Sequence, residues 1–516
     1  MKLVITSGLS AVLLSLLSSN LAALEQSVRD KVIAKAEALA EQSYKAPPAI
    51  PRFLRDLSYD QYQGIRFKPE DSLWQDSESD FKAMLVPAGL FYTFPVAINI
   101  VDDERIEPLA FSKSSFTYPS SEVEQQVPAD LGYAGFKLTF PLEGEAIQNQ
   151  FLVFAGASYY RAVSRDTNFG LSGRGLVLNT GLPGGEEFPA FTEYWLEAPK
   201  PGDKSFSFHA LLDTRSMTGA YRFTVTPGDE TELQVESVLF PRGEVRLMGV
   251  APLTSMFYYG QNTFKPPGEW RPEVHDSDGL LIHNGDSGEW LWRPLLNPTS
   301  LTMDYFATDN VRGFGLIQRD TNFTHYMDKE ARYDTRPSAW IKPVGDWGKG
   351  DVVLVQLPTP DETNDNIVAF WRPEAAVTPG EPQYFSYTAI FGDQHIAAEP
   401  LARSINTFVG DGNRVGGGYQ EGAVRVIVDF AGGPLDKLGA DAPVTGTVTG
   451  LEGAEVLGYF VEYIEPLQHW RLSILARPAA GQSLALRGFL QQEGTPLTET
   501  WTYHLPSDTG VLSPQN

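Results

Sequence analysis

The 516-residue sequence predicts an all-β protein, a large N-terminal antiparallel β-sandwich followed by a smaller immunoglobulin-like β-sandwich. Three observations predict it. Aromatic residues make up 12% of the chain, and Gly (47) and Pro (37) punctuate it, which is the composition of many short strands joined by turns. From about Tyr59 the apolar residues recur with period two, as in Tyr221, Phe223 and Val225 around Arg222 and Thr224. A glycine-rich stretch over 393–422 then separates a long run of strands from about seven short ones.

In chain order, Lys2 precedes a short apolar run from Leu9 to Leu17 and small residues at Ala22 and Ala23. This is the pattern of a secretory signal peptide over 1–23. The run is shorter than the ~20 residues that span a bilayer, and no twin-arginine pair precedes it. Export by the general secretory route is expected, and no later segment is apolar enough to cross a membrane. Val28, Val32, Ala36, Leu39 and Ala40 predict one amphipathic helix over 25–44, ended by Pro47, Pro48 and Pro51. The rest of 24–392 reads as the large sandwich, with too many strands for a small barrel. Val352 to Leu357 is a buried strand stopped by Pro358. A linker is placed at 393–405 and the immunoglobulin-like part at 406–516. Its strand candidates are 424–430, 444–449, 456–464, 470–476, 484–490 and 498–505, and 507–516 should fray.

Net charge is −25, which repels nucleic-acid phosphates and favours an uncharged partner. There is no cysteine, so disulfides, thiolate metal sites and a cysteine nucleophile are excluded. His275 and His283 do not stand at a zinc spacing. Gly170 to Gly175 lacks the Lys-Ser/Thr ending of a phosphate loop, and Gly285 to Gly288 lacks the nucleophile elbow. Asp411-Gly412-Asn413 lacks the ligand series of an EF-hand. No cofactor or metal is expected.

Chemistry concentrates between Glu269 and Arg372. Acids, arginines and tryptophans alternate with turn residues in 269–279, 288–294, 318–323, 332–337, 345–350 and 361–371. Carboxyl groups supply acid and base, and aromatic faces pack on the apolar faces of sugars, so a cleft of this kind suits a neutral polyhydroxylated substrate. The competing use of the same residues is structural. Asp and Asn favour turns, and Trp fills cores. Alternation in Trp290-Leu291-Trp292 puts both tryptophans on one sheet face, which can be the core. Arg271, Arg293 and Arg336 each precede a proline and can hold carboxylates or sugar hydroxyls.

The segments 156–161 (Gly-Ala-Ser-Tyr-Tyr-Arg), 170–176 (Gly-Leu-Ser-Gly-Arg-Gly-Leu), 183–189 (Pro-Gly-Gly-Glu-Glu-Phe-Pro), 249–257 and 271–277 join 332–337 and 361–371 in a specific pattern. The chain resembles the osmoregulated periplasmic glucan biosynthesis proteins, in their G and D members, over essentially its whole mature length. The general secretory signal is more like the G member. The resemblance implies a periplasmic protein acting on the β-1,2-linked glucose backbone of these glucans, as an anomer-inverting hydrolase or a transglycosylase. It implies Asp365 as general acid, Asp276 on the base side and Tyr333 in a proton relay. Glu362, Trp347, Arg336, Trp292 and Arg271 are expected to bind substrate. The expected partners are β-1,2-glucan and the inner-membrane glucan synthase. The neighbours of Asp365, namely Asp361, Glu362 and the apolar run Ile367 to Trp371, can raise its pKa as an acid requires. Its alternative use is to cap the turn before that strand. A non-catalytic factor guiding the nascent glucan is the competing function.

Overall fold

A computed structural model describes residues 28–103, 105–144, 147–412 and 420–508. The expected signal peptide, the Gly416–Gly418 run and the last residues of the chain lie outside these. The fold is all-β, as the period-two pattern requires. A ten-stranded sheet runs in the order 82–87, 133–140, 149–155, 159–162, 172–174, 248–255, 367–373, 349–356 and 302–309, with 176–178 beside 248–255. It packs on the centre of a fifteen-stranded sheet. Among the described strands pairing is antiparallel except 97–101 with 193–197 and Leu291-Trp292 with Thr500-Trp501, and an isolated bridge from Ala402 to Thr498 is also parallel.

Alternation decides which side chains fill the space between the sheets. Phe136, Phe154 and Tyr160 come from the ten-stranded sheet, and Phe191, Phe208, Phe223 and Phe391 from the other. Their rings meet edge to face across the layer, Phe136 with Phe208 at 5.2 Å and Phe154 with Phe223 at 5.0 Å between centroids. Such pairs add to the burial of their large apolar area. On the outer face of the large sheet, helix 28–40 lays Val28, Val32 and Ala36 against Trp195, Leu211, Val238 and Phe240. Arg242 ends the helix by donating to the carbonyl of Leu39, before the prolines are reached.

The immunoglobulin-like part has seven main strands in two sets. Arg403–Asp411, Val424–Ala431, His469–Arg477 and Glu455–Ile464 form a four-stranded sheet in that order. Thr445–Leu451, Leu484–Gln492 and Thr500–Leu505 form the facing layer. This is the four-plus-three arrangement of an immunoglobulin constant-type sandwich. The three-stranded layer continues into the large sheet through the parallel pairing of 500–501 with 291–292. Trp290, Trp292, Ile317 and Trp340 therefore share one apolar core with Val426, Phe430, Leu472, Leu486 and Trp501.

A buried charge pins this junction. Arg319 donates to both carboxylate oxygens of Glu499 and to the carbonyl of Ser404, and its guanidinium lies 3.5 Å from the centroid of a Trp292 ring. Burial and the adjacent Glu499 push Glu399, on the same guanidinium, up to about 10. Arg403 is a second cation whose charge reaches both glutamates. Replacing Arg319 by Met leaves the buried Glu499 without its hydrogen-bonded cation. The expected loss is about 3–5 kcal/mol, read as a lower denaturant midpoint, and an unchanged midpoint contradicts the assignment.

Candidate functional site

The Asp365 side of the candidate site is built where the chain enters one strand of the ten-stranded sheet. Strand Ile367–Pro373 is preceded by Asn366, which is buried. Its amide accepts from Phe257 N at 2.8 Å and donates to the carbonyls of Phe257 and Leu357 at 3.0 Å. That clamp fixes the turn and holds Asp365 at the strand's mouth. Arg161 reaches Asp365 at 3.9 Å, and is itself held by Ser172 Oγ at 2.8 Å. Burial pushes the Asp365 carboxyl up, with Arg161 and Arg174 pulling the other way.

The Asp276 side is set by a hydrogen-bond knot around Gln318, which is fully buried. Its amide nitrogen lies 3.1 Å from the carbonyl of His275, 3.0 Å from Tyr326 Oη and 3.1 Å from the carbonyl of Tyr333. One side chain thus ties the segment that carries Asp276 to the one that carries Tyr333. Asp276 N donates to Met256 O at 2.8 Å. The Asp276 carboxyl is 8% exposed, and its Oδ1 is buried without a hydrogen-bond donor, with Arg336 Nε at 3.4 Å. Burial raises it, Arg336 opposes, and Asp365 across the cleft raises it further. The two carboxyls are therefore close enough to feel each other.

Tyr333 Oη donates to Glu362 Oε2 at 3.0 Å, and the Arg336 guanidinium lies 5.3 Å from the Tyr333 ring centroid. Burial, Glu362 and Asp276 hold the phenol well above its ordinary value, so it keeps its proton and donates. Arg271 gathers Glu269, Asp328 and Glu362 around one guanidinium. Behind Asp276, His275 stacks on Phe257 and lies 3.1 Å from Glu273 and 3.7 Å from Asp278. Burial alone lowers it, but Asp278 and Glu273 outweigh burial and push it up to about 9. It is a fixed cation at the back of the cleft. Among the described residues, Glu273, Asp320 and His325 bring metal-ligating atoms within 4.8 Å of one another. They already pair internally, His325 with Asp320 and Glu273 with His275.

The structure brings together Asp365, Asp276, Tyr333, Glu362, Arg336 and Arg271. It places two expected sugar-binding tryptophans elsewhere. Trp292 is 3% exposed under Arg319 in the junction core. Trp347 packs on Trp371, Phe385 and Tyr387, and its Nε1 donates to Ser386 O at 3.2 Å. It sits beyond the Lys349 end of strand Lys349–Gln356, whereas Asp365 lies beyond the Gln356 end, about 25 Å away along eight residues of strand. Arg161, Arg174, Asn366 and Gln318 are the site residues that motif reading passes over. The first two alternate with Tyr160 and Gly173, a period-two signal that the cleft side chains come from strands.

A family model described as "Periplasmic glucan biosynthesis protein, MdoG" matches residues 28–505. A probable glucans biosynthesis protein D from Shewanella oneidensis is 42% identical over 471 residues, 91% of this chain and 86% of its own. A glucans biosynthesis protein G from Pseudomonas aeruginosa is 42% identical over 489 residues, 93% of each. Equal identity to both leaves the G-or-D distinction open. Among solved structures, a galactose mutarotase related enzyme from Lactobacillus acidophilus covers 47% of this chain and 97% of its own at 10% identity, with a TM-score of 0.21, too low to carry an argument. By the extent of these sequence matches, the chain belongs to the MdoG family of periplasmic glucan biosynthesis proteins.

Proposed function

We propose that the protein serves periplasmic glucan biosynthesis by cleaving or transferring the β-1,2-linked backbone with inversion at the anomeric carbon. The observation that carries this is the pair of carboxyls, Asp365 and Asp276, both pushed above the ordinary carboxyl range and near enough for the charge of Asp365 to act on Asp276. Inverting glycoside cleavage needs one protonated carboxyl at the leaving oxygen and one base for water on the other face. Asp365 gives its proton to the glycosidic oxygen as the C1–O bond breaks. Water attacks C1, and its proton passes to Asp276 directly or through Tyr333 or a sugar hydroxyl. In transfer, a glucan hydroxyl replaces the water. The cleft lies within 24–392, and we assign 406–516 a bracing role, with docking to the inner-membrane glucan synthase as its expected further use. Family membership accords with a periplasmic location, and among the described residues no helix is long and apolar enough to cross a membrane.

Asp365→Asn keeps the shape but cannot give a proton. Turnover of linear β-1,2-glucan is expected to fall by ~10²–10⁴ with glucan binding retained. The same variant should be more stable at neutral pH. A carboxyl whose folded pKa is raised above 3.8 loses stability as pH rises through the unfolded value. Unchanged turnover in Asp365→Asn means that the acid lies elsewhere, with Glu362 next in line, whereas no turnover by the unaltered protein favours the non-catalytic guiding role. Polarimetry or NMR of the first-formed product should find the α-anomer at the new reducing end, and the β-anomer defeats inversion.

Arg161 lowers both carboxyls, and it is the largest charge acting on Asp365 but a lesser one on Asp276. Arg161→Gln should move both limbs of the pH–kcat/KM profile upward, the alkaline limb more. A downward shift of the alkaline limb contradicts Asp365 as the acid.

A further inference from the structure

The segment Pro183 to Pro189 carries none of the groups used above, yet it is built with care. Glu187 is 8% exposed and accepts from Thr214 Oγ1, from Ser216 N at 2.8 Å and from Ser216 Oγ at 2.7 Å. Its backbone N donates to Leu178 O at 3.0 Å. Glu186 accepts from Arg174 Nη2 at 2.6 Å. The residue after these two anchored glutamates is Phe188, whose ring is 55% exposed, and Pro189 fixes the chain beyond it. A lone exposed phenylalanine needs no explanation. This one is tied down by both preceding residues and rests on a charged support.

That support is Arg174, only 1% exposed, whose Nε is buried without a hydrogen-bond partner. Its guanidinium carbon lies 5.2 Å from the Phe188 ring centroid and 4.8 Å from that of Tyr159. Strand pairing explains the arrangement. Tyr159 stands opposite Arg174 and Tyr160 opposite Gly173, so Tyr159, Arg161, Ser172 and Arg174 share the outer face. Tyr160 goes to the core, and Gly173 is required above it, since a Cβ there would meet the Tyr160 ring at 2.2 Å. Arg161 on this face holds Asp365, and the charge of Arg174 also acts on Asp365. Two aromatic rings on a fixed cation therefore extend the cleft from the acid outward.

We propose that Phe188 and Tyr159, propped on the buried Arg174, form a sugar-stacking subsite for the leaving portion of the glucan on the Asp365 flank. This rests on the reading of Asp365 as the acid. The acid touches the leaving oxygen, so a surface continuous with it and away from Asp276 receives the leaving chain. Aromatic rings take the apolar face of glucose, and the cation beneath holds them in place. Arg174 is a positioning residue here.

The test uses the full protein, linear β-1,2-glucans of increasing length, and Phe188→Ala with Phe188→Tyr as the conservative variant. Phe188→Ala should raise KM on long chains about 5- to 20-fold, the size of a lost aromatic contact, and flatten the dependence of kcat/KM on chain length. The effect falls on KM rather than kcat, and Phe188→Tyr restores it. Binding of the same glucans to Asp365→Asn, with and without Phe188→Ala, is read by calorimetry. Weaker binding in the double variant supports the subsite even when the wild type turns over no glucan, which overturns the catalytic reading alone. Equal binding with and without the ring, or no glucan binding to Asp365→Asn, overturns the subsite.

Discussion

Arg319 lies 7% exposed between Glu499, the carbonyl of Ser404 and the face of Trp292, and much of the molecule is arranged so that this cation can stay dry. Glu499 comes from just before the last strand, and Ser404 from the first strand of the immunoglobulin-like part. Trp292 comes from the strand that pairs with Trp501. An unpaired ion there would cost several kcal/mol, so these elements must arrive together. The Arg319 amide and the Asp320 amide at 2.7 Å both donate to Asp278, which faces His275. The charge layer at the junction thus continues into the one that backs Asp276. The junction and the Asp276 segment share a wall.

Within the cleft, burial is the largest effect on both carboxyls, and the arginines decide how they differ. Asp276 is opposed by Arg336, Arg161 and His275. Asp365 is opposed by Arg161 and Arg174. The charge of Asp365 also raises the cost of ionising Asp276. Arg336, 3.4 Å from Asp276, favours the charge there.

Much of the fold was legible because period-two alternation is a local signal. Met217–Thr226, Lys349–Gln356 and Val424–Ala431 fall where the pattern puts them. The joining of the two sandwiches through Leu291-Trp292 and Thr500-Trp501 was not legible, since pairing across two hundred residues leaves no local trace. Asp365, Asp276, Tyr333 and Glu362 gather because turn-rich loops collect at strand ends. Trp292 and Trp347 share the flanking acids and turns of a cleft residue, and only their burial separates packing from binding. Arg161 and Arg174 escape motif reading for the opposite reason. On a strand, Tyr-Tyr-Arg and Ser-Gly-Arg read as an ordinary half-wet face until the partner strand is known.

The electrostatics also weigh on the choice between an enzyme and a guiding factor. A carboxyl whose folded pKa is raised subtracts from stability above the unfolded value, by about 1.4 kcal/mol for each tenfold weakening of the acid. An asparagine at either position could bind sugar hydroxyls without that loss. Neutral glucan gains little from a buried charge, and aromatic surface with amide donors would hold it as well. Asp365 and Asp276 nonetheless stay carboxyls, with Asn366 and Gln318 committed to fixing their segments. Precision of that sort is of no use to a surface that only has to retain a polymer. A proton that must leave one oxygen and reach another does need it, because transfer falls steeply once heavy atoms stand beyond hydrogen-bond reach. The cost in stability and the rigidity of the supports point the same way, toward proton transfer at this cleft as the proposed chemistry.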